Sequence, residues 1–195
     1  MKIMNILKKR NNQAGFSILE VLIASAITAI IATSAFSFYA KMSEQAEHQF
    51  NVSEMHQLCR TSLYDIRKSL MQAGFKLTGH PAYEVKGDTL AVYYSDTQPV
   101  DTILYYLEEY TDAEYAAVAD LPASHQLFKL YKKVNSDAPA LFADYIVDII
   151  YNQVDAANMI VSIGVHSLLK DDSYQPNDGF RTFRVSERIN IRNIT

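Results

Sequence analysis

The twenty-four residues from Phe16 to Tyr39 carry a single charge, Glu20. As a helix rising ~1.5 Å per residue, such a run spans the ~30 Å hydrocarbon layer of a bilayer. Any fold of this chain must therefore supply an apolar solvent for its amino-terminal part. Lys2, Lys8, Lys9 and Arg10 precede the run with no acid among them, and Lys41 stands alone just beyond it. The positive-inside rule then places residues 1–15 in the cytoplasm and the bulk of the chain on the other side. Glu20 breaks the pattern. A carboxylate one turn into an apolar span costs roughly 3 kcal/mol on insertion scales, so it calls for a partner or a task. An Ala24-Ser25-Ala26 site of the secretory type is also present. Cleavage there leaves only a short apolar stretch ahead of it, with Glu20 inside.

The remaining chain is long enough for one domain with its own core. Its charge differs from that of the leader. The whole chain carries −4, but the part after the leader has 14 basic residues against 22 acidic ones, or −8. That balance argues against general nucleic-acid binding, which needs clustered positive charge. With one cysteine, Cys59, no disulfide can form within the chain.

No glycine or proline occurs from Phe16 to Ala73, so nothing in those residues forces a helix break. After Lys41 the pattern turns amphipathic. Val52, Met55, Cys59, Leu63, Ile66, Leu70 and Ala73 recur at steps of three and four and form one stripe. Gly74 suits a helix C-cap. The expected element is one helix about 85 Å long at ~1.5 Å per residue, its first half in lipid and its second half against a globular domain. Cys59 lies on the stripe and reads as a small buried hydrophobe.

Beyond Gly79-His80-Pro81 the period becomes strand-like. Stretches 88–94, 102–107, 127–134, 145–153, 159–168 and 181–193 are rich in Val, Ile, Tyr and Phe and bounded by Gly, Asp, Asn and Pro. Segment 110–122 is Ala-rich and reads as a short helix or a loop insertion. In the last strand Phe183, Val185, Ile189 and Ile191 share one face, which Glu187 interrupts. Arg184, Arg188 and Arg192 share the other. That arginine ladder fits a solvated face, pairing with acids of the same domain, contact with an acidic neighbouring subunit, or contact with DNA.

No catalytic constellation is found. The five histidines (His48, His56, His80, His125, His166) lack zinc-site spacing. There is no phosphate loop and no nucleophile elbow. The oxygen-rich stretch Asp171–Gly179 does not follow the EF-hand register and reads as a polar turn. No metal and no cofactor is expected.

Gly15-Phe16 behind the basic leader, with Glu20 at the fifth position after Gly15, resembles the signal of type IV prepilins and of type II secretion pseudopilins. The resemblance implies a cleaved leader over 1–15, with the cut between Gly15 and Phe16 and N-methylation of Phe16. A membrane and filament-core helix would follow over 16–40, an amphipathic half-helix over 41–74, and an antiparallel β-sheet domain over 75–195. Glu20 takes the position of the family's assembly glutamate. The implied fold is α+β, the pilin fold.

Gln72-Ala73-Gly74-Phe75, with Asp65-Ile66-Arg67 before it, is similar to the helix-ending region of PilW-type minor pilins. The stretch from Arg181 to Asn193 resembles their terminal strand. J-type pseudopilins match almost as well. The resemblance implies a minor pilin that helps to initiate a type IV pilus near its tip. Its partners would be the prepilin peptidase/N-methyltransferase, other minor pilins, the major pilin and an inner-membrane assembly platform. Its domain would lie in the periplasm and later on the filament. A secretion pseudopilin and a Tyr-rich adhesin are the rivals, and a tethered enzyme lacks a site.

Overall fold

The computed structural model describes residues 16–96, 100–117, 125–171 and 174–194. The chain divides into two compact units, Met1–Ala46 and Glu47–Thr195. Helix α1, Ile18–Gln72, contributes to both.

In the second unit the three-and-four spacing does what an amphipathic stripe should. Met55, Cys59, Leu63, Ile66, Leu70 and Ala73 are buried against the sheet. Val52 is only half-buried, because Asn51, four residues before Met55 on the same helical row, takes the inward position. The helix stops at its C-cap glycine. Gly74 has φ +76° and donates its N–H to the Tyr93 carbonyl at 2.8 Å. A Cβ at this position would lie 1.9 Å from the Asn193 carbonyl oxygen. Glycine is thus what lets the carboxy-terminal segment pass the helix end.

Among the described residues seven antiparallel strands follow in chain order: β1 (Tyr83–Lys86), β2 (Thr89–Tyr94), β3 (Asp101–Glu109), β4 (Phe128–Val134), β5 (Ala140–Asp155), β6 (Asn158–Lys170) and β7 (Phe180–Asn190). Helix α2 (Asp112–Ala117) lies between β3 and β4. It opens with a capping box: the Glu114 carboxylate accepts from the Thr111 N–H at 2.9 Å and from its hydroxyl at 3.0 Å. The remaining residues of the Ala-rich segment, 118–122, lie outside the described residues. Leu90 and Val92, Ile103 and Tyr105, and Val161, Ile163 and Val165 alternate inward from their strands onto α1, and Ile146 and Ile149 of β5 reach the same core from either side of a register shift. The arrangement is the α+β, pilin-like one: a long amino-terminal helix packed on an antiparallel sheet.

The structure departs from the sequence reading where pairing overrides local pattern. Strand β1 has only four residues and is held by its hairpin with β2. Strand β5 begins at Ala140, not at 145. A bulge separates the pairs Leu130–Ala143 and Phe128–Ile146, and Tyr145 within it takes φ +56°. At the other end β7 stops at Asn190, three residues short of the expected 193. Ile191 is buried but leaves the ladder and donates to the Ala157 carbonyl at 2.7 Å.

A polar fastener runs through the helix–sheet interface. The buried Tyr105 hydroxyl donates to the Asp65 carboxylate at 2.5 Å and lies 2.8 Å from the Ser69 hydroxyl. Lys132 of β4 pairs with the same carboxylate at 2.6 Å.

Candidate functional site

The amino-terminal part of α1 begins with a cap. Ser17 stands one residue before the helix, and its hydroxyl accepts the Leu19 N–H at 3.3 Å. Glu20, three residues further on, takes the position of the capping-box acid. It is the only acid of the first turn, where the helix dipole favours negative charge. Phe16 precedes the cap and is 82% exposed. Gly15 lies outside the described residues.

From Ile18 to Tyr39 the large apolar side chains, among them Leu22, Ile30, Ile31, Phe36 and Phe38, are exposed. Each would gain roughly 1.5–3 kcal/mol by leaving water. Ten or so such residues therefore outweigh a few kcal/mol of penalty for Glu20 several times over. Four hydroxyls in this stretch are satisfied by their own helix. Ser25 donates to the Leu22 carbonyl, Thr28 to Ala24, Thr33 to Ala29 and Ser34 to Ile30, all at 2.8–2.9 Å. A hydroxyl bonded back to its own helix carries no free donor into lipid. Among the described residues α1 is the one helix long and apolar enough to cross a membrane. Glu20 is the exception on this surface and the residue a partner must answer.

Several of the other polar features of the sequence are absorbed within the domain, while Arg188 and Arg192 of the arginine ladder stay exposed. Cys59 is fully buried, with its sulfur 3.7 Å from the Ile163 carbonyl oxygen. Two of the β7 arginines pair internally, Arg184 with Asp148 across Gly164 and Arg181 with Asp171 at 2.6 Å. Any residue larger than Gly164 would sit 2.7 Å from the Asp148 carboxylate and obstruct that bridge. Glu187, which interrupts the apolar face of β7, pairs with Arg67 of α1 at 2.7 Å. Of the Asp171–Gly179 stretch, residues 172 and 173 lie outside the described residues, and 176–179 form a 3-10 turn, η1. Among the described residues no group of three His, Cys, Asp or Glu side chains is placed to hold a metal ion.

Sequence reasoning missed one constellation. His125 and His166, 41 residues apart, meet at 2.9 Å. Neither spacing nor pattern signals it, because the β4–β6 meander alone brings the two together.

Residues 10–36 match the family described as the prokaryotic N-terminal methylation motif. No curated protein and no solved structure matches the chain. Together with the exposed apolar helix, the motif supports a type IV pilin or pseudopilin. It implies processing by a prepilin peptidase and assembly with other pilins, and it fits a membrane-anchored subunit later built into a filament.

Proposed function

We propose that this chain is a minor subunit of a type IV pilus, a structural protein that helps to initiate assembly at or near the filament tip. The observation that carries the reading is the methylation-motif segment running directly into a helix whose apolar surface has no cover of its own. In this reading the leader is removed between Gly15 and Phe16, and Phe16 is N-methylated. The apolar half of α1 then holds the subunit in the inner membrane, with the sheet domain in the periplasm. On assembly, helix–helix packing replaces lipid contacts, and Glu20 pairs with a charged terminal amine in low dielectric, where an unpaired carboxylate is costly. Major subunits of this kind commonly carry a helix-breaking Gly or Pro in the anchor and a cysteine pair. This chain has neither, which supports the minor role.

Deletion of the gene tests the role. Loss of surface pili with protein secretion intact is the expected result. Normal piliation with blocked secretion would make the chain a secretion pseudopilin. Normal pili that no longer adhere would make it an adhesin.

A further inference from the structure

We propose that His125 and His166 form an acid-operated latch, closed while the pair shares one added proton and opened by a second. The latch fastens the coil ahead of β4 and the η1 turn onto strand β6.

The hydrogen-bond polarity dictates this behaviour. His166 is 4% exposed, and its Nδ1 lies 2.6 Å from the Ser167 carbonyl oxygen. A carbonyl only accepts, so Nδ1 carries the proton and Nε2 of the neutral ring is an acceptor. His125 Nδ1, 2.9 Å from that Nε2, must be the donor. The far side of His125, its Nε2, faces the Asp178 carboxylate at 3.6 Å. In a neutral His125 that Nε2 is a bare lone pair turned toward an anion. In the imidazolium it is a donor turned toward its counter-charge. One proton therefore completes the chain Asp178–His125–His166–Ser167. A second proton would have to enter on His166 Nε2. It would abolish the acceptor that His125 uses and set two cations in contact. Burial, and then the neighbouring His125, hold His166 below the ordinary histidine range, while the Ser167 carbonyl opposes them. Phe180 closes the cluster from β7, its ring 5.6 Å from His125 and 5.1 Å from His166.

Few other charged groups surround the pair. Asp144 and Tyr145 of β5 and Glu54 of α1 line the small cavity beside His166, and the Asp144 carboxylate is taken by the Tyr110 hydroxyl. Lys170 and Asp171 flank Asp178, and Asp171 is bound to Arg181. The cavity wall also includes Asn51, 9% exposed, whose carbonyl oxygen finds no donor among the described residues. Among the described acids near the pair, Asp178 is the one that faces His125, while Glu54 lines the cavity on the His166 side.

What the latch holds is local. Strand β6 slips register against β7 between His166 and Lys170, and the Ser167 hydroxyl accepts the Arg181 N–H at 2.9 Å across that slip. Opening would loosen this slip and the η1 turn while the ladder from Asn158 to His166 stays paired. His166 favours its neutral form when folded, so the closed state binds fewer protons than the open one. The share of the stabilisation that comes from keeping His166 neutral is present above the ordinary histidine range and is lost as pH falls toward its depressed value in the closed state.

The test uses the full-length chain in detergent micelles, labelled with 15N-histidine and assigned with single-histidine variants. At neutral pH long-range 1H–15N spectra should show His166 neutral with its proton on Nδ1. The pair should titrate in two separated steps. Amide exchange at 178–181, corrected for its intrinsic pH dependence, should rise by up to about tenfold per pH unit below the ordinary histidine range. His166→Gln, whose amide still accepts from His125, should abolish that acid step. Asp178→Asn should raise amide exchange at 178–181 already at neutral pH and leave the His166 tautomer unchanged, and it serves as the readout if the Gln variant does not fold. A proton on His166 Nε2 at neutral pH, two independent single-site titrations, or exchange at 178–181 indifferent to acid would each overturn the proposal.

Discussion

Two tyrosines with enclosed hydroxyls show how much such a group depends on where it ends up. Tyr105 places its hydroxyl between Asp65 and Ser69, and burial followed by the Asp65 hydrogen bond pushes its ionisation far above the usual tyrosine range. Tyr151 is only partly buried, but its hydroxyl is enclosed and finds no partner among the described residues. Tyr105→Phe should therefore cost about 1–3 kcal/mol, because Asp65 loses its buried donor and keeps only Lys132. Tyr151→Phe should be neutral or stabilising by about 1 kcal/mol, since it removes a desolvated group that makes no bond. Chemical denaturation of the two variants side by side checks the contrast; equal losses would mean that Tyr151 is satisfied. The alternation of β3 makes Tyr105 legible as an inward residue, but not its partner. In the sequence Asp65 is one more polar position between apolar ones on a helix. Only the placement of β3 and β4 beside its flank turns it into the acceptor for both Tyr105 and Lys132.

For whole elements, legibility followed the strength of the local signal. The stripe from Met55 to Ala73 and the C-cap at Gly74 were readable because each rests on chemistry within a few residues: helical spacing for one, freedom at positive φ for the other. The bulge at Asp144–Tyr145, the early start of β5 and the exit of Ile191 from the ladder were not, since each is settled by a partner strand distant in sequence. Gly74 offers a direct test of which constraint dominates at the helix end. Gly79 shares its left-handed backbone, with φ +72° against +76°, but an added Cβ there meets nothing within 4 Å. Gly79→Ala should cost only the conformational penalty, roughly 1–2 kcal/mol. Gly74→Ala should cost clearly more, because the Asn193 carbonyl must also move. Denaturation midpoints that fall equally for both would show that the carboxy-terminal segment yields freely and does not seal the helix end.

For the molecule as a whole, the anchoring segment was the most legible part. A run of apolar residues broken by one carboxylate is a statement about solvent that no tertiary contact in the domain revises. In the proposed function, what the segment does in a filament rests on Glu20, and its energetics can be separated from those of anchoring. Replacing Glu20 by Ala makes the span more apolar by roughly 3 kcal/mol on insertion scales, so membrane level and cleavage after Gly15 should persist. The capping contact from Ser17 to Leu19 does not involve the Glu20 side chain, so the helix start should persist too. On the proposed reading, what the substitution removes is the counter-charge for a terminal amine. Even 1.4 kcal/mol from such a pair corresponds to a factor of ten in recruitment, and the low dielectric of a helix bundle makes the pair stronger than it would be in water. Glu20→Ala is therefore expected to reduce incorporation into filaments by tenfold or more at unchanged membrane abundance. Immunoblots of sheared filaments and of membranes provide the two readouts, and the mass of the mature protein reports whether the chain still begins at Phe16. A chain that begins at Ile27 would show that the Ala24-Ser25-Ala26 site is used and would remove Glu20 from the mature protein altogether. Normal incorporation with a Phe16 start would mean that subunit register is set by helix packing alone and that the carboxylate has another partner.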